Sequence, residues 1–241
     1  HMVTLSISST NMTSSRVSFG IQNIFSQASR DRCMNNFKRL TTPRYGKMPN
    51  DRASVLVPLC RVLEKPSLLY TIRCTTLRNN SGEVTFPGGP VAREESPINV
   101  ALKETYQEIG LRPERIDVWG VGPPLPGRNN NIMVTPVVGA IPDLLPEDLS
   151  INATTISEVF SVPIDMLCEP KNQYYTQFSN GFILPVFVIE EYKIWGITAF
   201  ITHSFLSSAL SKDVYKNEWM KKKIKPNVYY LNRWSNLKPH F

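Results

Sequence analysis

Phe86-Pro87-Gly88-Gly89, followed by Glu95 and then by Lys103-Glu104-Thr105-Tyr106-Gln107-Glu108-Ile109-Gly110-Leu111, is the stretch that decides how this chain is read. A glycine turn precedes a helix that carries carboxylates one turn apart. Glu104 and Glu108 are i and i+4, so they share one helix face. Carboxylates so placed suit Mg²⁺, which binds one or two of them and completes its shell with water and substrate phosphates. The chemistry implied is metal-assisted attack of water on a phosphoanhydride. Ser96 is placed to cap this helix and Pro97 to begin it. Ile98, Ala101, Leu102, Thr105 and Ile109 mark its buried side, and Gly110 supplies the stop.

Working outward, the spacing predicts an antiparallel pair from Ala53–Cys60 and Ser67–Arg73, joined at Glu64-Lys65-Pro66. A polar loop over 75–82 leads to a short strand at Glu83–Phe86. Further strands are expected at Asp117–Val121, Met133–Ile141 and Ser157–Val162, with a short helix at Pro163–Leu167. Phe182–Ile189 and Lys193–Trp195 are expected to complete the sheet, and Gly196–Leu210 reads as an apolar helix with Asp213–Lys223 as a candidate extension. Strands interrupted by two long helices indicate an α/β/α sandwich on a mixed sheet. The simplest division is a basic Ser-rich segment over 1–50, with a short basic helix at Arg30–Leu40 and a linker at Thr41–Asn50, then one domain over 51–210 and a basic extension over 211–241.

Composition narrows the chemistry. The 241 residues are 41% hydrophobic, enough for a globular core, and no apolar run is long enough to span a membrane. The net charge of +7 is uneven: residues 1–50 carry seven Lys/Arg against one Asp, and residues 211–241 carry eight against two acids. The middle is therefore acidic, unlike a dedicated nucleic-acid domain. The four cysteines, Cys33, Cys60, Cys74 and Cys168, form no CxxC pair and read as free structural thiols of a reducing compartment. His1, His203 and His240 are the only histidines, which argues against a His-based triad or a His-rich zinc site. His1-Met2 reads as a cloning scar. Residues 3–30, with Arg16 and Arg30, no acid and interleaved apolar residues, resemble a mitochondrial presequence. The expected location is mitochondrial, with the cytosol as the alternative.

Gly89, Glu95, Glu104, Glu108, Gly110 and Leu111 stand in the register of the Nudix box, and the chain resembles that hydrolase superfamily. Lys103, Thr105 and Gln107 depart from the pattern, standing for an arginine, an apolar residue and a glutamate. The flanks sharpen the resemblance. Leu68–Arg73, Leu77-Arg78 and Gly82-Glu83-Val84 upstream look like the signature of coenzyme A diphosphatases, closest to the mitochondrial animal branch. So do Asn152, Val159–Ile164, Leu184–Phe187 and Trp195–Ala199 downstream. The resemblance implies a Nudix fold and Mg²⁺- or Mn²⁺-dependent hydrolysis of CoA or acyl-CoA to 3′,5′-ADP and a phosphopantetheine. It places the cation at Glu104 and Glu108, with Gln107 offering an uncharged amide oxygen and Gly88 backbone at the metal. Gly88 and Gly89 would also let the backbone approach the diphosphate.

Arg73 and Arg78 could each hold a phosphate through a bidentate fork. Glu104 and Glu95 are both candidates for the general base, and Arg73 or Lys103 for steadying phosphate charge. In the family a glutamate three residues after the downstream asparagine reaches the centre. Counting from Asn152 gives Thr155, with Glu158 as a possible stand-in. Two readings therefore stand side by side: a diphosphatase, slowed by these departures, or a Nudix-fold module that binds CoA without cleaving it. Nucleic-acid binding through Lys221–Lys223, Lys225, Tyr229, Tyr230 and Trp234 is the least supported.

Overall fold

The computed structural model describes residues 2–4, 15–40, 49–74, 82–127, 131–178 and 181–224. Arg78, Lys225, Tyr229, Tyr230 and Trp234 lie outside them. The large sheet is nine-stranded and mixed. Its main path runs β1 (Met2–Thr4), β9 (Ile156–Pro163), β3 (Lys65–Arg73), β2 (Asp51–Val62), β8 (Ile132–Ile141) and β6 (Asp117–Val121). Short β4 (Val84–Thr85), β5 (Gly88–Pro90) and β7 (Leu125–Pro126) pair with β3, β2 and β8. β2 runs parallel to β8 and antiparallel to β3.

The apolar runs of β2, β3 and β8 are continuous because both faces of the sheet are covered. Alternate side chains feed two separate clusters. Leu56, Cys60, Leu69, Val137 and Ile141 meet helix α3 (Pro97–Ile109) through Ala101 and Ile109. Val57, Leu59, Leu68, Tyr70 and Val138 face the other way. There they meet helices α1 (Ser15–Gln22), α2 (Gln27–Phe37), α4 (Ile164–Cys168) and α5 (Gly196–Ala209). Period-two strands between helical layers give the expected α/β/α sandwich. Ile21, Ile24, Cys33, Met34 and Phe37, all before residue 50, belong to this second cluster, as do Val214 and Tyr215 beyond residue 210.

Three expectations about elements are corrected. The β2–β3 hairpin turns at Leu63-Glu64, not Glu64-Lys65-Pro66: both residues have positive φ, 47° and 64°, and Val62 faces Lys65. Two left-handed residues make the type I′ turn that suits twisted strands, and Pro66 is free to sit inside β3. β11 (Ile183–Ile189) and β12 (Tyr192–Ile194) do not complete the large sheet. With β10 (Gln173–Gln177) they form a three-stranded antiparallel sheet of their own. Asp213–Lys223 does not extend α5. The chain turns after Leu210, buries Val214, Tyr215 and Trp219, and runs beside β10, where Tyr175 N–H donates to Lys222 O and Ile224 N–H to Tyr175 O.

Phe160 is fully buried and stacks between Tyr70 and Tyr192, with centroids 5.7 and 3.8 Å away. Phe160→Ala is expected to cost about 3–5 kcal/mol of stability, read by urea denaturation. A loss under about 1 kcal/mol would mean that the stack collapses to fill the space.

Burial holds His203 neutral, its pKa pulled down to about 4, while Nδ1 lies 3.0 Å from the Tyr215 hydroxyl. The four cysteines are free thiols; burial pushes Cys33 and Cys60 up to about 12. Burial thus keeps His203, Cys33 and Cys60 uncharged.

Candidate active site

β5 is pressed against β2, with Gly88 opposite Val55 and Gly89 opposite Ser54. A Cβ on Gly88 would come within 2.2 Å of Ser54 O and 2.7 Å of Val55 Cα. A Cβ on Gly89 would come within 2.8 Å of the Glu104 carboxylate. Glycine is needed at both places for close approach, one of backbone to backbone and the other of backbone to a functional side chain.

Helix α3 starts where expected. Asn99 N–H donates to Ser96 Oγ at 3.1 Å, and Pro97 occupies the first turn. Ser54 Oγ–H donates to Pro97 O at 2.7 Å, tying the helix start to β2. Gly110 ends the helix in the left-handed region at φ 73°. Asn152 N–H donates to Glu108 O and Ser150 N–H to Ile109 O, so the 150–155 turn satisfies the last helical carbonyls.

These restraints bring the functional groups together. Glu108 is buried; its Oε2 accepts from Gly88 N–H at 3.2 Å and its Oε1 lies 3.5 Å from Arg73 Nη1. Burial pushes its pKa up to about 7, against the lowering pull of Arg73 and the Gly88 amide. Arg73, Gly88, Gly89, Glu104, Gln107 and Glu108 line one cavity of about 220 Å³. Pro90, Asn152 and Thr155 complete its wall. Sequence reasoning had marked Asn152 and Thr155 only as positions in a pattern; the bond from Cys74 N–H to Thr155 O brings that turn to the end of β3.

Glu95 and Lys103 are placed differently. Lys103 Nζ lies 2.7 Å from Glu95 Oε1 and 4.0 Å from Glu104 Oε1. Glu95 also accepts from Ala92 N–H, and the Lys103 hydrogen bond holds its carboxyl below the usual range. Neither residue is among those lining the cavity. Glu158 does not replace the missing downstream glutamate. It is buried on β9, opposite Ile72, and bonds the Tyr192 hydroxyl. Its strand alternation turns it away from the wall that Thr155 lines.

Among the described residues no three His, Cys, Asp or Glu side chains gather into a metal cage. Two carboxylates and a carboxamide on one cavity wall do fit Mg²⁺ or Mn²⁺, hard cations that draw further oxygens from water and substrate.

Comparison with known proteins decides the family. Over 170 residues the chain is 37% identical to human "Mitochondrial coenzyme A diphosphatase NUDT8", covering 68% of this chain and 71% of that protein. Over 218 residues it is 31% identical to Caenorhabditis elegans "Nudix hydrolase 3", covering 80% and 90%. The chain is a Nudix hydrolase. No family model matches it. Among solved structures, the Nudix hydrolase RenU from M. smegmatis aligns at 19% identity and TM-score 0.41, over 52% of this chain and 76% of that one. The Nudix box is thus the glycine turn, α3 and Gly110, with Lys103, Thr105 and Gln107 at the departing positions. Thr105 is buried where the pattern has an apolar residue, and its hydroxyl donates to Ala101 O at 2.7 Å. An internal bond to the preceding turn lets a polar residue occupy a core position.

Proposed function

We propose that this Nudix hydrolase cleaves the diphosphate of CoA or acyl-CoA, giving 3′,5′-ADP and an (acyl-)phosphopantetheine, with Mg²⁺ or Mn²⁺ held by Glu104, Glu108 and Gln107. The observation that carries the reading is the meeting of the Arg73 guanidinium, the Gly88-Gly89 turn and the Glu104/Glu108 pair around one cavity. The relatives named as mitochondrial coenzyme A diphosphatases support the substrate and a mitochondrial location.

When bound, the cation neutralises diphosphate charge and makes water a better nucleophile. The chain's own groups do the rest. Arg73 offers guanidinium N–H donors to a phosphate oxygen. Gly88 N–H fixes the Glu108 carboxylate in the cavity. Glu104, in the cavity wall and partly exposed, is better placed than Glu95 to take a proton from the attacking water. Lys103 braces Glu95 and Glu104 from outside. The test is incubation with CoA, acyl-CoA, NADH and ADP-ribose under Mg²⁺ or Mn²⁺, with chromatography of products. Release of 3′,5′-ADP from CoA, absent in EDTA, is expected; cleavage of ADP-ribose alone would reject the substrate.

A second reading is favoured by Gln107 and Thr155, uncharged residues in the cavity wall. It is a CoA-binding Nudix fold that turns over little. Calorimetry in metal-free buffer separates the two: tight CoA binding without turnover supports the second, and brisk turnover removes it.

A further inference from the structure

The Arg73–Glu108 contact has features of a pairing made to be broken. Its distance is 3.5 Å, through a single guanidinium nitrogen. A committed Arg–carboxylate pair uses two parallel bonds at about 2.8 Å. The Arg73 Nε–H is buried and has no hydrogen-bond partner among the described residues. A buried donor left unmade carries a desolvation penalty, so an acceptor brought to that guanidinium is rewarded. The base of the side chain is nevertheless fixed. Arg73 N–H donates to Glu83 O, Arg73 O accepts from Gly82 N–H, and the next residue's N–H binds Thr155 O. The side chain borders the cavity and is tied there by the single contact to Glu108. Glu108 does not need Arg73 to stay in place, because Gly88 N–H holds its other oxygen at 3.2 Å.

We propose that Arg73 is a displaceable internal counter-ion: its guanidinium neutralises Glu108 while the cation is absent and transfers to a diphosphate oxygen when the substrate enters. This rests on the cation-and-diphosphate reading of the cavity. The two carboxylates and one guanidinium in the cavity wall leave a divalent cation only one net negative charge to meet. Once the guanidinium turns to the diphosphate, both carboxylates face the cation. Cation and substrate therefore bind in mutual reinforcement, and the reinforcement is reciprocal. The protein alone would hold Mg²⁺ weakly and gather it with substrate, which suits a site that lacks a third carboxylate.

The test is binding of Mn²⁺ to metal-free protein, followed by electron paramagnetic resonance of the free ion, so no turnover enters. Arg73→Gln is expected to tighten Mn²⁺ binding about tenfold, while Lys171→Gln, which removes an exposed cation paired with Glu169 and outside the cavity wall, changes it less than about twofold. A CoA analogue with a methylene-bridged diphosphate, corrected for its own chelation of Mn²⁺, should tighten Mn²⁺ binding to the unsubstituted protein. In Arg73→Gln its effect should fall at least about fivefold. Unchanged affinity in Arg73→Gln, equal tightening by both substitutions, or an undiminished analogue effect overturns the proposal. If Arg73→Gln does not fold, the Arg73 side-chain N–H resonance of the unsubstituted protein decides. A shift on adding Mg²⁺ together with the CoA analogue supports displacement, and no shift rejects it. Failure of CoA hydrolysis alongside the expected Mn²⁺ isotherms would reject the substrate and leave the counter-ion standing.

Discussion

Glu108→Gln is expected to lower CoA hydrolysis at fixed Mg²⁺ by about 10²–10³-fold and, in metal-free buffer above neutral pH, to make the protein more stable. The two effects have one cause. Glutamine keeps the shape and an oxygen for Gly88 N–H, but removes the charge that a cation and Arg73 require. That charge is expensive in the folded chain, where burial raises the carboxyl from 4.5 to about 7. Between these values the unfolded chain has released a proton that the folded chain keeps, so stability falls as pH rises through the window. Above it the penalty is complete, on the order of 3 kcal/mol. Glutamine cannot ionise and escapes it. Thermal melts in EDTA should show the variant above the unsubstituted protein at pH 8 and level with it at pH 4. Equal melting at pH 8 would mean that Arg73 already compensates the charge. Activity within threefold of the unsubstituted enzyme would remove Glu108 from the proposed cation site.

The helix, its cap and the glycine turn were legible because each depends on neighbours in sequence. Ser96, Pro97 and Gly110 act within one turn of the helix ends, and the Glu104/Glu108 spacing guarantees a shared face whatever packs around it. The central strands were legible for a similar reason. Val55–Cys60 is apolar throughout and Val134–Ile141 is apolar but for Thr135, and a strand covered on both faces needs that pattern.

What stayed hidden depends on partners distant in the chain. Nothing local announces that Arg73 meets Glu108, since the contact requires β3 to lie beside α3 at one register. The exclusion of Glu95 from the cavity wall follows from its bonds to Ala92 and Lys103, which compete with any inward turn. Gln173–Gln177 was missed as a strand because its two tyrosines and two glutamines carry little apolar alternation. Its pairing with β11 and the Lys222–Ile224 segment supplies what its own pattern lacks. Helix α1 was obscured by polar composition, whereas the basic helix expected over 30–40 overlaps α2, which buries only Ser29, Cys33, Met34 and Phe37. That narrow stripe suffices because α5, apolar nearly all round, packs against it.

Gly88→Ala is expected to abolish both activity and the folded turn, and the contrast with Gly89→Ala makes the expectation specific. At Gly88 an added Cβ meets Ser54 O at 2.2 Å and Val55 Cα at 2.7 Å, backbone atoms in the middle of the sheet. β2 cannot retreat, because its other edge is held along ten residue pairs by β8. The strain must therefore fall on β5, which would separate from β2 and carry the Gly88 N–H away from Glu108. Overpacking of this kind costs about 1–3 kcal/mol or more, and here it also strips a buried carboxylate of a hydrogen bond. At Gly89 the clash is with the Glu104 carboxylate, the far end of a side chain that can swing. Gly89→Ala should accordingly melt close to the unsubstituted protein while losing about 10²-fold or more in turnover, because Glu104 is pushed from its place. Differential scanning fluorimetry and CoA hydrolysis on both variants check this. A Gly88→Ala protein that melts normally, or a Gly89→Ala protein that keeps full turnover, would show that the turn tolerates a side chain and that the close approach of β5 to β2 and to Glu104 is not what builds the site.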